Sequence, residues 1–200
     1  MGIMDQMILL RHGETEWSRN GRHTGRTDLR LTTGGEEQAR ALAPLISDRT
    51  FGLVLVSPAR RARDTAELAG IKDYETDPDL WEWDYGGYEG ITTLKIRERR
   101  PGWHLWRDGV VPGDAEHPGE SAEQVGARAD RVIARALAAD GDVVLVAHGH
   151  YLRVLCARWL GLPPTDGRLF RLDTGTYSRL GFERDEPVVL TWNAPVLPTA

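Results

Sequence analysis

Three short apolar runs, Met7–Leu10, Phe51–Val56 and Val143–Ala147, are set far apart in the chain and separated by long amphipathic stretches. Each run is too short for a buried helix and lacks the alternation of a half-solvated strand, so each reads as a strand covered on both faces. Strands of that kind need helices above and below them. The pattern therefore predicts an α/β fold of three layers, α/β/α, around a mostly parallel central sheet. With 200 residues, 40% of them hydrophobic, and no visible repeat or low-complexity tract, one domain spanning 1–200 is expected.

Local signals supply the remaining elements. Thr32 or Thr33 is placed to cap a helix reaching about Ser47, with Ala39, Leu42, Ala43 and Ile46 on one face and a kink at Pro44. Ser57-Pro58 predicts an N-cap and first helical turn for a helix from Ala59 to about Ala69. The longest helical period covers Ser121–Ala139. A further helix is expected from about Tyr151 to Leu160, stopped by Gly161 and Pro163-Pro164. Leu169–Asp173, Tyr177–Glu183 and Val188–Trp192 read as antiparallel edge strands, and Pro195–Ala200 as a loosely held tail. Pro101–Gly119, with Trp103, His104, Trp106, Arg107 and His117, reads as a lid, part of an insertion at about 91–119.

Composition excludes several classes. A net charge of −5 argues against nucleic acid or an anionic membrane as partner. Cys156 is the single cysteine, so no intrachain disulfide can form. The first residues hold no basic segment followed by a long apolar one, which makes a cytoplasmic location the expectation.

The polar residues that follow the strands carry the chemistry. Arg11-His12-Gly13 follows the first run, Ser57-Pro58 and the arginines Arg60, Arg61 and Arg63 follow the second, and His148-Gly149 follows the third. In mostly parallel sheets ligands bind beyond the carboxyl ends of the strands, so these three ends are expected to converge on one crevice. Two imidazoles, several guanidiniums and helix N-termini suit a tetrahedral dianion, and phosphate is the expected occupant. No carboxylate cluster suited to magnesium is evident, and His148-Gly149-His150 is the only close histidine pair. No metal or other cofactor is expected, and His150 is placed at the pocket rim.

Arg11-His12-Gly13-Glu14-Thr15 resembles the hallmark of the histidine phosphatase (phosphoglycerate mutase-like) superfamily. The resemblance continues through Thr24-Gly25, Ser57-Pro58-Ala59-Arg60-Arg61-Ala62-Arg63-Asp64-Thr65-Ala66, Glu82-Trp83-Asp84-Tyr85-Gly86-Gly87-Tyr88-Glu89-Gly90, Gly119-Glu120-Ser121 and Ala147-His148-Gly149. It implies that His12 is the nucleophile that becomes a phosphohistidine. Arg11, Arg61 and His148 would hold the phosphoryl oxygens, and Glu82 would protonate the leaving group. Arg61 fits the pattern better than Arg60, since it directly precedes Ala62 and Thr65 follows. Trp81, Trp83 and Tyr85 are expected to surround Glu82 with apolar surface, favouring the neutral acid. With His12 neutral and Glu82 protonated, an optimum on the acidic side of neutral follows.

Ser18 departs from the commoner asparagine, and with Trp106-Arg107-Asp108-Gly109 and Ala147-His148-Gly149-His150 it shifts the resemblance toward the acid-phosphatase and sugar-bisphosphatase-like branch. Ser18, His23, Thr24, Gly25, Tyr85 and Gly149 are the implied substrate-binding residues, while Trp103, Trp106 and Arg107 are open between binding and packing. The mutases of the family carry an arginine directly after the catalytic glutamate and a lysine eleven residues after it. Here Trp83 and Thr93 stand in those places, so hydrolysis of a small phosphorylated metabolite is favoured over mutase-type transfer, with a non-catalytic phosphate-binding protein as a further alternative. A monomer or a homodimer is expected, the latter through exposed edge strands.

Overall fold

The computed structural model describes residues 4–196. Its centre is a six-stranded sheet in the order β3-β2-β4-β1-β5-β6. β1 (Gln6–Arg11), β2 (Leu53–Val56), β3 (Glu75–Thr76) and β4 (Val143–Ala147) run parallel, and β5 (Thr176–Glu183) and β6 (Glu186–Pro195) add an antiparallel hairpin. Because side chains alternate across a strand, Met7, Leu9, Leu55, Val143 and Leu145 enter one core. Ile8, Leu10, Val56, Val144 and Val146 enter a second core on the opposite face.

Helices cover both faces. After the short α1 (Glu16–Asn20), α2 (Thr33–Ala41) and α3 (Arg60–Leu68) lie on the second core, which takes Ala62 and Ala66. α6 (Ala122–Leu137) and α7 (Gly149–Trp159) lie on the first and contribute Val125, Ala129, Val132, Leu152 and Leu155. Ser121 and Gln124 close a capping box on α6, satisfying two backbone donors that helix formation leaves open. No described helix is long and apolar enough to cross a membrane.

The structure departs from the sequence expectations in five places. α2 ends at Ala41, and Pro44 sits in a separate 3-10 turn, Ala43–Leu45, rather than in a kinked continuation. α3 is capped at Ala59, two residues later than expected. Leu169–Asp173 is not a strand, because its backbone is claimed by side chains. Trp192 Nε1 donates to Arg171 O, Arg11 donates to Leu172 O, and Asp173 N donates to Asn193 Oδ1.

The 91–119 segment is not a structureless lid. It holds α4 (Thr93–Arg99) and α5 (Leu105–Asp108), and Trp103, Leu105 and Trp106 are buried in the first core. Trp103 Nε1 donates to Gly109 O at 3.0 Å, and Gly87 N donates to Val111 O at 2.8 Å. The glycines and prolines that suggested a loose loop turn the chain between packed indoles. Of the expected tail, Pro195 closes β6 and residues 197–200 lie outside the described residues.

Candidate active site

The parallel register pairs Arg11 with Ala147 and Val56 with Val146, so the residues that follow β1, β2 and β4 emerge side by side. His12 and His148 stand with ring centroids 5.2 Å apart. A cavity of about 220 Å³ opens over this sheet end, lined in part by Arg11, His12, Glu82, Tyr85 and Gly149. Drug-sized ligands occupy about 300–1,000 Å³, so the space suits a small metabolite.

His12 is fixed through its inner nitrogen. Nδ1 lies 2.7 Å from Gly13 O, and a carbonyl can only accept, so Nδ1 carries the proton and Nε2 keeps a free lone pair. Burial, followed by the charges of Arg61 and Arg11, holds the imidazole well below its ordinary pKa, leaving the ring neutral. The turn beneath it needs glycine: a Cβ on Gly13 would stand 2.1 Å from Gly35 O. Gly13 N also donates to Thr65 Oγ1 on α3 at 3.1 Å.

Arg11 donates to Leu172 O, and its buried Nε has no protein partner. A Cβ on Gly149 would meet Arg11 Cζ at 3.0 Å, so glycine at the start of α7 lets the guanidinium rest against the helix end. Arg61 and His148, by contrast, lie behind the cavity wall and are fully buried. Arg61 Nε donates to His148 Nδ1 at 3.1 Å, and its terminal nitrogens donate to the carbonyls of Thr24, Gly25 and Thr27. One Nη1–H of the five N–H groups is left over. His148 Nδ1 thus accepts, which puts its proton on Nε2, 2.7 Å from Ser57 Oγ.

Glu82 is the only carboxylate among the residues lining the cavity. Its surroundings differ from the apolar pocket expected. Trp83 N and Tyr151 N donate to Oε1, each at 2.8 Å, and His150 N donates to Oε2 at 3.0 Å. Trp81 instead faces Arg26, and the Trp83 indole packs on Trp106 and donates to Glu120 O. The carboxyl therefore sits in a cradle of backbone N–H groups at the first turn of α7, leaving Oε2 with an unused lone pair.

Tyr85 OH lies 2.6 Å from His150 Nδ1. Burial, followed by the Glu82 charge, pushes the Tyr85 phenol well above its usual value, and burial holds His150 well below its own, so the phenol is the donor. His23 and His150 stack face to face at 6.4 Å, with Tyr85 4.8 Å from His23. Together they line one wall of the cavity. Ser18 and Thr24 also line it, although the Ser18 hydroxyl is occupied in a capping box with Thr15. Gly25 does not line it; its N–H binds Glu89 and its carbonyl holds Arg61.

Trp103 and Trp106 support this wall from behind. Arg107 pairs with Asp108 at an exposed position, and Arg60 pairs with Asp64. Arg22 and Arg153 line the cavity and were missed by sequence reasoning. For Arg153 the available signal was its place four residues after Gly149, on the same helix face. Among the described residues no three His, Cys, Asp or Glu side chains form a metal-ligating group.

Two neutral histidines side by side beyond the ends of parallel strands, one of them bonded to a buried arginine, define the class of site. The profile of the histidine phosphatase superfamily (branch 1) matches residues 7–195, and the chain belongs to that family. It is similar to an acid phosphatase of Mycobacterium tuberculosis, 43% identical over 188 residues covering 92% of this chain and 90% of that protein. A sedoheptulose 1,7-bisphosphatase of Saccharomyces cerevisiae is 35% identical over 193 residues, covering 80% of this chain and 69% of that one. Among solved structures, the product of a Mycobacterium tuberculosis open reading frame aligns with a TM-score of 0.87 at 39% identity, covering 96% of this chain and 99% of the other.

Proposed function

We propose that the protein is a metal-independent phosphomonoesterase that hydrolyses small phosphorylated metabolites, sugar phosphates among them, through a phosphohistidine on His12. The observation that carries this reading is the His12 ring itself: neutral, with Nδ1–H spent on Gly13 O and Nε2 left as a nucleophile. Nε2 attacks phosphorus, the ester P–O bond breaks, and its electron pair leaves with the alkoxide oxygen. Glu82 supplies the proton that this oxygen needs, from Oε2. Water then attacks the phosphohistidine while Glu82 takes up its proton, releasing phosphate and restoring the ring. Arg11, with a buried unpartnered Nε, is the direct electrostatic partner of the transferring oxygens. Arg61 and His148 act from behind it, through charge and through the position of the ring.

Hydrolysis is favoured over mutase-type transfer because the two positions at which mutases carry cations hold Trp83, buried in the core, and Thr93, a neutral residue on the cavity wall. Two relatives named an acid phosphatase and a sugar bisphosphatase, at 43% and 35% identity, support that choice over others named probable phosphoglycerate mutase, at 31%. The experiment incubates wild type and His12→Ala with labelled substrate, in chelator, and traps an alkali-stable, acid-labile phosphoryl group. Free phosphate and isomerised product are measured together from 3-phosphoglycerate, sugar bisphosphates and a chromogenic ester. Label on wild type alone, with phosphate as the main product, is expected. Label on His12→Ala defeats the mechanism, isomer in excess of phosphate defeats hydrolysis, and loss of activity in chelator defeats metal independence.

A further inference from the structure

The guanidiniums on the cavity wall exceed what one phosphoryl group needs. Arg11, Arg22 and Arg153 all line the cavity, and among the described residues none of them forms an ion pair with a carboxylate. Glu82 does not neutralise them by contact, since its oxygens are held by backbone N–H groups. A phosphoryl group at His12 is matched by Arg11, with the charge of Arg61 behind. Two cations remain.

Arg153 is the one held in place by its side chain. Arg153 Nε donates to Gly167 O at 3.0 Å, Nη2 reaches Arg168 O at 3.4 Å, and the guanidinium lies 4.7 Å above the Trp106 ring. Gly167 is packed so closely on that indole that a Cβ would stand 2.6 Å from it. Three fixed contacts orient the guanidinium and leave Nη1 without a partner. Holding a half-buried cation so without a counter-ion is unfavourable unless a ligand supplies the anion. Arg22 is exposed at the cavity mouth; its backbone N donates to Trp17 O at 2.9 Å, and its guanidinium stands 5.8 Å from the Trp17 ring. Stacking on an indole lowers the entropy lost when such a side chain grips an anion.

We propose that Arg153 and Arg22 form a second anion-binding position in this cavity, so that the substrate carries a carboxylate or a second phosphate besides the phosphoryl group delivered to His12. The proposal deepens the phosphatase reading by naming the substrate class, a small doubly anionic metabolite. A position for the far end of one substrate differs from retention of a second molecule, so it is compatible with water reaching the phosphohistidine.

Binding of inert phosphonates tests this without requiring turnover, so its failure is separable from failure of the phosphatase reading. Alkyl phosphonates of two to six carbons, bare or ending in a carboxylate or a second phosphonate, are titrated calorimetrically into wild type, Arg153→Gln, Arg153→Lys and Arg22→Gln. The best-matched doubly anionic ligand is expected to bind wild type at least about tenfold more tightly than its bare counterpart, the gain of one charge-assisted contact. That gain falls to within about twofold in Arg153→Gln, is reduced in Arg22→Gln and is partly kept in Arg153→Lys, with unchanged thermal unfolding showing that the variants are folded. Whichever ending gives the larger gain identifies the second group. Equal binding of bare and doubly anionic ligands at every length, or a gain that survives both glutamine substitutions, overturns the proposal.

Discussion

Arg128, on α6, is the cross-link that holds the loop carrying Glu82. Its Nη1 donates to Asp79 O at 2.6 Å and Trp81 O at 3.0 Å, and Nη2 reaches Glu82 O at 3.5 Å. Nε and Nη2 form a two-pronged pair with Glu120, both at 2.9 Å, and Glu120 Oε2 accepts from Asp84 N. The guanidinium also lies 5.2 Å from the Tyr151 ring, and the residue is buried. Arg128→Met keeps the bulk of the stem but leaves the Glu120 carboxylate without its cation and the carbonyls of Asp79, Trp81 and Glu82 without their donor. Breaking a buried pair from one side costs about 3–5 kcal/mol, a large part of the roughly 5–15 kcal/mol that holds a typical domain. At about 2–4 °C per kcal/mol for a chain of this size, Tm should fall by about 6–20 °C. Urea unfolding with an unchanged m-value is the assay. The double variant Arg128→Met/Glu120→Gln, which keeps the Asp84 contact but removes the stranded charge, should be destabilised by less than the sum of the single changes. With Glu82 loosened, turnover of an alkyl phosphate should drop by about 10- to 100-fold, and that of a nitrophenyl ester, whose leaving group hardly needs a proton, should drop less. A loss below about 1 kcal/mol, or equal losses on the two esters, would refute this account.

Two further outcomes follow from the same geometry. Ser57→Ala removes the acceptor for His148 Nε2–H, leaving a buried donor unsatisfied at a cost of about 1–3 kcal/mol, and kcat should fall by about tenfold; steady-state kinetics with wild-type turnover would show the hydroxyl to be dispensable. His12, His148 and His150 are all held well below the ordinary imidazole value, by burial first. Below about pH 6.5 the unfolded chain therefore binds protons that the folded chain refuses, and stability should fall at up to about 1.4 kcal/mol per pH unit for each ring. Melting temperatures independent of pH between 7 and 5 would contradict these shifts.

The layered fold and the crevice at the strand ends were legible because they rest on local facts. Apolar runs four to six residues long can be buried only between layers, and Arg11-His12, Ser57 and His148-Gly149 follow those runs directly in the chain. The surroundings of Glu82 were not legible. Trp81, Trp83 and Tyr85 are its neighbours in sequence, yet the atoms that touch its carboxyl come from Trp83 N and from His150 and Tyr151 on α7. Likewise Pro101–Gly119 has the composition of a mobile loop, and only the packing of Trp103 and Trp106 against distant residues gives it structure.

By itself, then, the sequence determined the three buried parallel strands β1, β2 and β4, the helices α2, α3, α6 and α7 and the residues at the strand ends, since periodicity and capping act over a few residues. Only the tertiary structure decided which nitrogen of His12 is free, that Arg61 and His148 stand behind the cavity rather than on it, and that Arg22 and Arg153 face into it. The bond of His12 to its neighbour Gly13 aside, those outcomes depend on hydrogen bonds and burial between segments far apart in the chain, as for His148 and Ser57, 91 residues apart. Contacts of that range leave no periodic trace in the chain.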